Sequence, residues 1–176
     1  MPFVRGPAAV IRDAGPRDAR DIARIHVGAW HDAYAGIVPE GYLRRLSAMR
    51  FTRRWLASLA ATPGGTLVAT AAGGRVVGWV AMGPSRDEDA ADAGEVYAIY
   101  LRAEQWGRGV GRALLAAAER RLAGDGHRLA SLWVLEANQR ARRFYARLGY
   151  SPDGRRASLR LGGKELHELR YRKPLR

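Results

Sequence analysis

The sequence predicts an α/β fold of the α+β type, in which a mixed, mostly antiparallel central sheet is flanked by helices. Three observations predict it. Apolar residues recur at helical spacing up to Leu59, and strand-length apolar runs punctuated by glycine follow from Thr66. One of those strands then runs through a glycine-rich turn straight into a helix at residues 95–115. A length of 176 residues suits one domain with its own core, so a single domain over 1–176 is expected.

Residues 8–12, from Ala8 to the arginine at 12, read as a short first strand. Gly15-Pro16 opens a helix, because proline tolerates the first helical position and Asp18 stands in the first turn, where the dipole favours negative charge. Ile22, Ile25, Ala29 and Ala33 mark its buried side, with Trp30 and Tyr34 on an adjoining stripe. After a break at Gly36 and Pro39, a second helix is expected over about 40–59, carrying Tyr42, Leu43, Leu46, Phe51, Trp55 and Leu59. Thr62-Pro63-Gly64-Gly65 ends it.

Residues 66–71 and 75–82 form a hairpin about Gly73-Gly74, and 84–93 is a polar, acidic loop. Residues 95–101 are a strand, and 110–123 a helix whose core side is Val110, Leu114, Ala118 and Leu122. Another strand follows at 129–135. Asn138 then caps a helix that carries Ala141, Phe144, Tyr145 and Leu148 and closes at Gly149. A terminal hairpin pairs 157–161 with 166–171 about Gly162-Gly163.

Composition excludes several classes. With 47% hydrophobic and 27% charged residues the chain is expected to fold rather than stay disordered. No run approaches the ~18 uncharged apolar residues of a membrane span, so no membrane partner is expected. The first seven residues lack the apolar core of a signal peptide. There is no cysteine, hence no disulfide, thiolate metal site or cysteine nucleophile, and the expected location is the cytoplasm. His26 and His31 are five apart and cannot share a helix face as ligands, while His127 and His167 are isolated, so no metal is assigned. The net charge is +13, almost all from arginine. It fits a nucleic-acid binder, a pocket for a polyanionic small molecule, or arginine accepted wherever a solvated cation is tolerated. The arginines are scattered, with no run of five or more like charges, which argues against nucleic acid.

The informative stretch is Gly107-Arg108-Gly109-Val110-Gly111-Arg112. Glycine at every second position lets backbone approach a ligand closely, and the helix that starts there offers unpaired N–H groups and a positive dipole end. Arg108 and Arg112 add charge, so a pyrophosphate site is expected; a tight turn without a ligand is the plainer alternative. The Gly-Lys-Ser/Thr of a P-loop is absent, and a dinucleotide fingerprint counted from Gly107 fails at Arg112.

Glu95-Val96-Tyr97-Ala98-Ile99-Tyr100-Leu101 followed by Trp106 to Leu115 resembles the central motif of the GNAT acyltransferases. Asn138 with Phe144-Tyr145-Ala146-Arg147-Leu148-Gly149-Tyr150 is similar to that family's downstream motif. The resemblance covers roughly residues 8–173 and constrains 17–62 only weakly. It implies the GNAT fold and acetyl-coenzyme A as cosubstrate, held by residues 107–112. The implied activity is transfer of an acetyl group to a primary amine of a small molecule or peptide. A ribosomal-protein N-terminus or a lysine is the alternative acceptor. A coenzyme A-binding sensor without catalysis, or a basic nucleic-acid-associated domain, is the alternative of another class. Relatives are often dimers, so a homodimer belongs among the expectations. The family usually has Gln or Arg where this chain has Trp106, which leaves phosphate binding to backbone groups.

The same resemblance implies roles for further residues. An N–H on the strand at Ile99, Tyr100 or Leu101, exposed by a bulge, would stabilise the oxyanion. Tyr145, seven residues after Asn138, would return a proton to the sulfur, and Asn138 would contact the pantetheine arm. Each has a bland reading, as a core aromatic and a helix cap. Glu95, fourteen residues before Gly109, matches the strand glutamate that acts as base in histone-acetylating members; a water chain or a purely surface glutamate are the alternatives. The position of the base in other relatives is Trp133 here, which closes that route. Trp30, Tyr34 and Tyr97 are candidate walls for the acceptor.

Overall fold

Asp18 sets the start of the first helix. Its carboxylate accepts from the Gly15 amide at 2.8 Å and from both terminal nitrogens of Arg12 at 2.8 and 2.9 Å. One 3-10 turn, Pro16–Asp18, therefore precedes α1, Ala19–Tyr34. Residues 9–175 are described by the structure, a computed structural model, so Ala8 of the expected first strand lies outside them. The strand itself is β1, Val10–Asp13.

The long second helix expected over 40–59 is two helices, α2 at Glu40–Leu43 and α3 at Ala48–Ala61. Ser47 is the reason for the restart. Its backbone is extended, and its hydroxyl accepts from the Arg50 amide at 3.4 Å, which caps a new helix instead of continuing the old one.

The remaining elements are β2 Thr66–Thr70, β3 Val76–Pro84, β4 Gly94–Leu101, α4 Val110–Gly124, β5 Leu129–Leu135, α5 Gln139–Arg147, β6 Ser151–Leu161 and β7 Lys164–Pro174. The strands form one sheet in the order β1-β2-β3-β4-β5-β7-β6, antiparallel except between β4 and β5. The terminal hairpin is longer than its sequence suggests. Pro152 and Gly154 read as breakers and β6 is exposed along nearly its whole length, yet it pairs with β7 from Ser151 onward across an irregularity between Pro152 and Arg156. Asp153 anchors that irregular stretch by ion pairs to Arg170 and Arg172, both on β7.

Alternation divides the core between the two faces of the sheet. Leu114, Leu115, Ala118 and Leu122 of α4 and Tyr145 of α5 pack with Val80, Met82, Val96 and Leu132 on one face. Ile22 and Ile25 of α1 and Leu59 of α3 pack with Val68, Trp79 and Ala81 on the other. A third cluster, Val38, Leu43, Leu135 and Leu166, seats the α1–α2 connection and α2 against the β5–β7 end of the sheet. No helix among the described residues is long and apolar enough to cross a membrane.

His26 is packed among Trp30, Phe51, Trp79 and Tyr100, with ring centroids 4.1 to 5.7 Å away, and neither ring nitrogen has a hydrogen-bond partner. Burial holds its imidazole down to about 4, below the usual 6.5. The unfolded chain thus binds this proton near pH 6.5 while the folded chain refuses it until about pH 4. Stability is fully present above that window and lost as pH falls through it. Melting curves between pH 7 and 4 are expected to show this loss, and His26→Leu should reduce the acid-side slope.

Candidate active site

Strands β4 and β5 pair at Gly94 with Ala130 and at Glu95 with Ser131, and then part. A continued ladder would satisfy the facing backbone groups of both strands. Their parting instead opens a cleft of about 720 Å³, lined from β4, β5, α1, α5 and the loop before α4.

Hydrogen bonding on the far side of β4 tells which groups face the cleft. The Arg102 amide donates to the Val77 carbonyl at 2.9 Å. Backbone groups alternate sides along a strand, so Tyr100 and Ala98, opposite Trp79 and Ala81, also face β3. Ile99 and Leu101 therefore turn their N–H and C=O groups to the cleft. The Tyr100 amide does not, which removes it from the three strand residues expected to offer a donor. The bulge expected at Ile99, Tyr100 or Leu101 lies instead at Tyr97, where the register passes from Ala81–Ala98 to Met82–Val96. A bulge bends its strand and increases local twist, and this one sits just past the last β4–β5 pair.

The glycine turn uses its glycines for two different purposes. Gly107 and Gly109 have φ of +73° and +83°, a left-handed conformation costing other residues roughly 1–2 kcal/mol. Gly109 is the N-cap of α4, and no side chain caps that end. Among the described residues no carbonyl accepts from the amides of Gly107, Gly109, Val110, Gly111 or Arg112, so the turn presents a row of free donors. At Gly111 the need is space: a Cβ there would lie 3.2 Å from Leu101 Cδ1 and 3.3 Å from Phe144 Cζ. Val110 is buried in the core. Arg112 is exposed and lines the cleft, whereas Arg108 is exposed and does not. Trp106 also lines it, with the Arg140 guanidinium 3.1 Å from its ring centroid, so α5 lays a cation over the start of the loop.

Asn138 and Tyr145 both line the cleft from α5 and its cap. The Asn138 side-chain oxygen accepts from the Ala141 amide at 3.1 Å, a true N-cap worth about 1 kcal/mol. Tyr145 is 9% exposed, and burial raises its hydroxyl well above the ordinary phenol range, with Tyr34 adding to the effect. Trp30, Tyr34 and Tyr97 line the cleft as well. Trp30 meets Tyr34 edge-on at 4.9 Å, and the Tyr34 and Tyr100 hydroxyls are 3.1 Å apart. The Tyr97 hydroxyl donates to the Pro84 carbonyl at 2.7 Å.

Glu95 stands differently from the sequence expectation. It is 1% exposed, neither a surface glutamate nor one of the cleft-lining residues. Its two oxygens accept from the Arg86 amide at 2.9 Å and from the Arg86 guanidinium. Two carboxylates do line the cleft: Asp32 of α1, which is exposed, and the half-buried Glu168 on β7, opposite Leu135 of β5. Nothing in the local sequence marks the latter, since Glu165 and Glu168 both look like surface residues; only the pairing of β7 with β5 brings Glu168 to the cleft.

Residues 27–150 match the Acetyltransferase (GNAT) family. The chain belongs to this family. It is 38% identical over 128 residues to the uncharacterized N-acetyltransferase YuaI of Bacillus subtilis, covering 73% of this chain and 72% of that one. Its fold is similar to that of the PaiA N-acetyltransferase of Thermoplasma acidophilum in complex with coenzyme A, with a TM-score of 0.73, 20% identity, and 95% and 99% of the two chains covered. A phosphinothricin acetyltransferase of Sinorhizobium meliloti in complex with AcCoA is similar at a TM-score of 0.73 and 24% identity, covering 96% and 89%. The protein is thus an acyltransferase, a GNAT N-acetyltransferase.

One side of this GNAT cleft depends on a buried ion cluster. Arg170, 2% exposed, bonds Asp87 at 3.1 Å, Asp89 at 2.7 Å and Asp153 at 2.8 Å. Arg170 and Arg155 together hold the Asp89 carboxyl far below its ordinary range. Asp87 also accepts from the indole N–H of Trp133, a cleft residue, at 3.1 Å. The loop between β3 and β4, which carries Arg86, is thereby tied to β5, β6 and β7. Arg170→Ala is expected to lower unfolding free energy by about 3 kcal/mol in urea titrations, because Asp87 loses its cation.

Proposed function

We propose that this protein transfers an acetyl group from acetyl-coenzyme A directly to a primary amine of a small molecule or a peptide, both bound at once in the cleft. The observation that carries the reading is the set of unpaired amides at Gly107 and from Gly109 to Arg112, beside the wedge between β4 and β5. Anionic phosphate oxygens suit those donors and the adjoining arginines. An extended amide-bearing arm running into the wedge from there can pair with Ile99 and Leu101 as an added strand would. Family membership and the coenzyme A complexes of similarly folded proteins support this.

The reaction needs an oxyanion donor and a proton for the departing thiolate. A free amide of Ile99 or Leu101 serves as the first. Tyr145 serves as the second, since a phenol whose ionisation is opposed by burial stays protonated until the sulfur takes its proton. Trp30, Tyr34 and Tyr97 border the acceptor. The whole chain acts as one catalytic unit, and in the absence of cysteine the cytoplasm suits it.

Calorimetry with acetyl-coenzyme A and with free coenzyme A tests the reading first, followed by thiol release across a panel of primary amines and peptides. Binding of neither form of the carrier overturns it. Gly109→Val should weaken acetyl-coenzyme A binding at least several-fold, because the left-handed φ is denied to valine. Tyr145→Phe should lower kcat by about 10²-fold while leaving the dissociation constant of acetyl-coenzyme A unchanged.

A further inference from the structure

Three carboxylates bear on the cleft and their situations differ: Asp32 of α1 lines it from an exposed position, where water solvates its charge. Glu95 is buried, off the lining, and spent on Arg86, which itself lies over the Tyr97 ring at 4.6 Å. Protonating that carboxylate would cost it the charge-assisted bonds it accepts from the Arg86 amide and guanidinium. Glu168 lines the cleft and is half-buried, and its carboxylate takes part in no ion pair or hydrogen bond among the described residues. Tyr34 of α1 is close enough for the Glu168 charge to act on its hydroxyl, and the same cleft is lined by Tyr100 of β4, Trp133 of β5, Tyr145 of α5 and the aliphatic Leu159 and Leu161 of β6, with Arg112, Arg140 and Arg147 on its α4 and α5 side. The charged groups that reach it are Arg86 and Glu95.

We infer that Glu168, a residue distant in sequence from both GNAT motifs, receives the acceptor's ammonium group and takes its proton. This rests on the acetyl-transfer reading above and adds to it the base and the charge class of the acceptor. An unpaired carboxylate among aromatic and aliphatic walls selects a cationic amine on an uncharged apolar body. A carboxylate next to the nitrogen, as in an α-amino acid, faces repulsion from Glu168.

The proton accounting closes. The ammonium yields one proton to the Glu168 carboxylate, which passes it to solvent. The freed amine attacks the thioester carbon, a C–N bond forms, and the C–S bond breaks. Tyr145 protonates the leaving thiolate, and the second nitrogen proton restores Tyr145, leaving an amide, a free thiol and one proton released. Desolvation raises the Glu168 carboxyl above the ordinary 4.5, with Glu95 adding to the rise and Arg86 opposing it. A base is competent when deprotonated, so activity is lost as pH falls through that raised value.

The test compares phenethylamine and tyramine with phenylalanine and tyrosine as acceptors, by thiol release from pH 5 to 9, alongside calorimetry with acetyl-coenzyme A. The simple amines should be the better substrates. Glu168→Gln should lower kcat/KM by about 10²-fold and flatten the acid limb, with acetyl-coenzyme A affinity unchanged. Glu95→Gln should lower the melting temperature and keep the acid limb. Persistence of that limb in Glu168→Gln, its loss in Glu95→Gln, or preference for the amino acids overturns the inference. So does wild-type protein that binds acetyl-coenzyme A and acetylates none of the four. Failure to bind acetyl-coenzyme A at all strikes the acetyl-transfer reading instead.

Discussion

Backbone donors and acceptors removed from a ladder must be satisfied by water or by something bound. In this protein β4 and β5 hold two residue pairs together and then separate, so Ile99 and Leu101 keep unspent hydrogen-bonding groups on a half-buried stretch of strand. The Tyr97 bulge accompanies the turn of β4 away from its neighbour, and Gly111 lets α4 settle against Leu101 and Phe144 beside the opening. The cleft and the free strand amides follow from that one interrupted pairing, and the bare N-terminus of α4 follows from its glycine cap.

Charge is then distributed around the opening in a consistent way. Cations gather at the α4 side, with Arg112 on the rim and Arg140 stacked over Trp106. On the other side the loop after β3 is fixed by Arg170 through Asp87 and Asp89, which keeps Arg86 against Glu95. Glu95 is thereby held in an ion pair, and Glu168 is left as the half-buried carboxylate that faces the cavity without one. Of the cations behind the +13 net charge, several arginines are committed to ion pairs or aromatic stacking, and a few border the cleft.

Much of the fold was legible because its signals are local. Strand β5 occupies residues 129–135 as read, and Asn138 caps α5 as its side chain suggests. The break between α2 and α3 was carried by Ser47, whose capping signal is weak beside the apolar pattern that runs through it. Strand β6 was half missed for the opposite reason, since its exposed, proline- and glycine-bearing residues gain their order from β7 alone. Of the cleft lining, Gly107, Gly109, Gly111, Arg112, Asn138, Tyr145, Trp30, Tyr34 and Tyr97 were all named from the sequence or its resemblance, whereas Arg108 and Val110, named with them, lie off it. The sequence showed neither the environment of Glu95 nor the presence of Glu168.

By itself the sequence determined what nearest neighbours along the chain can settle: apolar periodicity, caps, and the left-handed turn that only Gly107 and Gly109 accept without strain. Tertiary structure alone decided which backbone groups of β4 are free, where its bulge falls, and which glutamate faces the cavity. Those outcomes come from strand pairing and ion pairs between residues far apart in sequence, Glu168 opposite Leu135 and Arg170 with Asp87 among them. Such contacts have no local signature, because the same glutamate or arginine reads identically whether a partner strand covers it or water does.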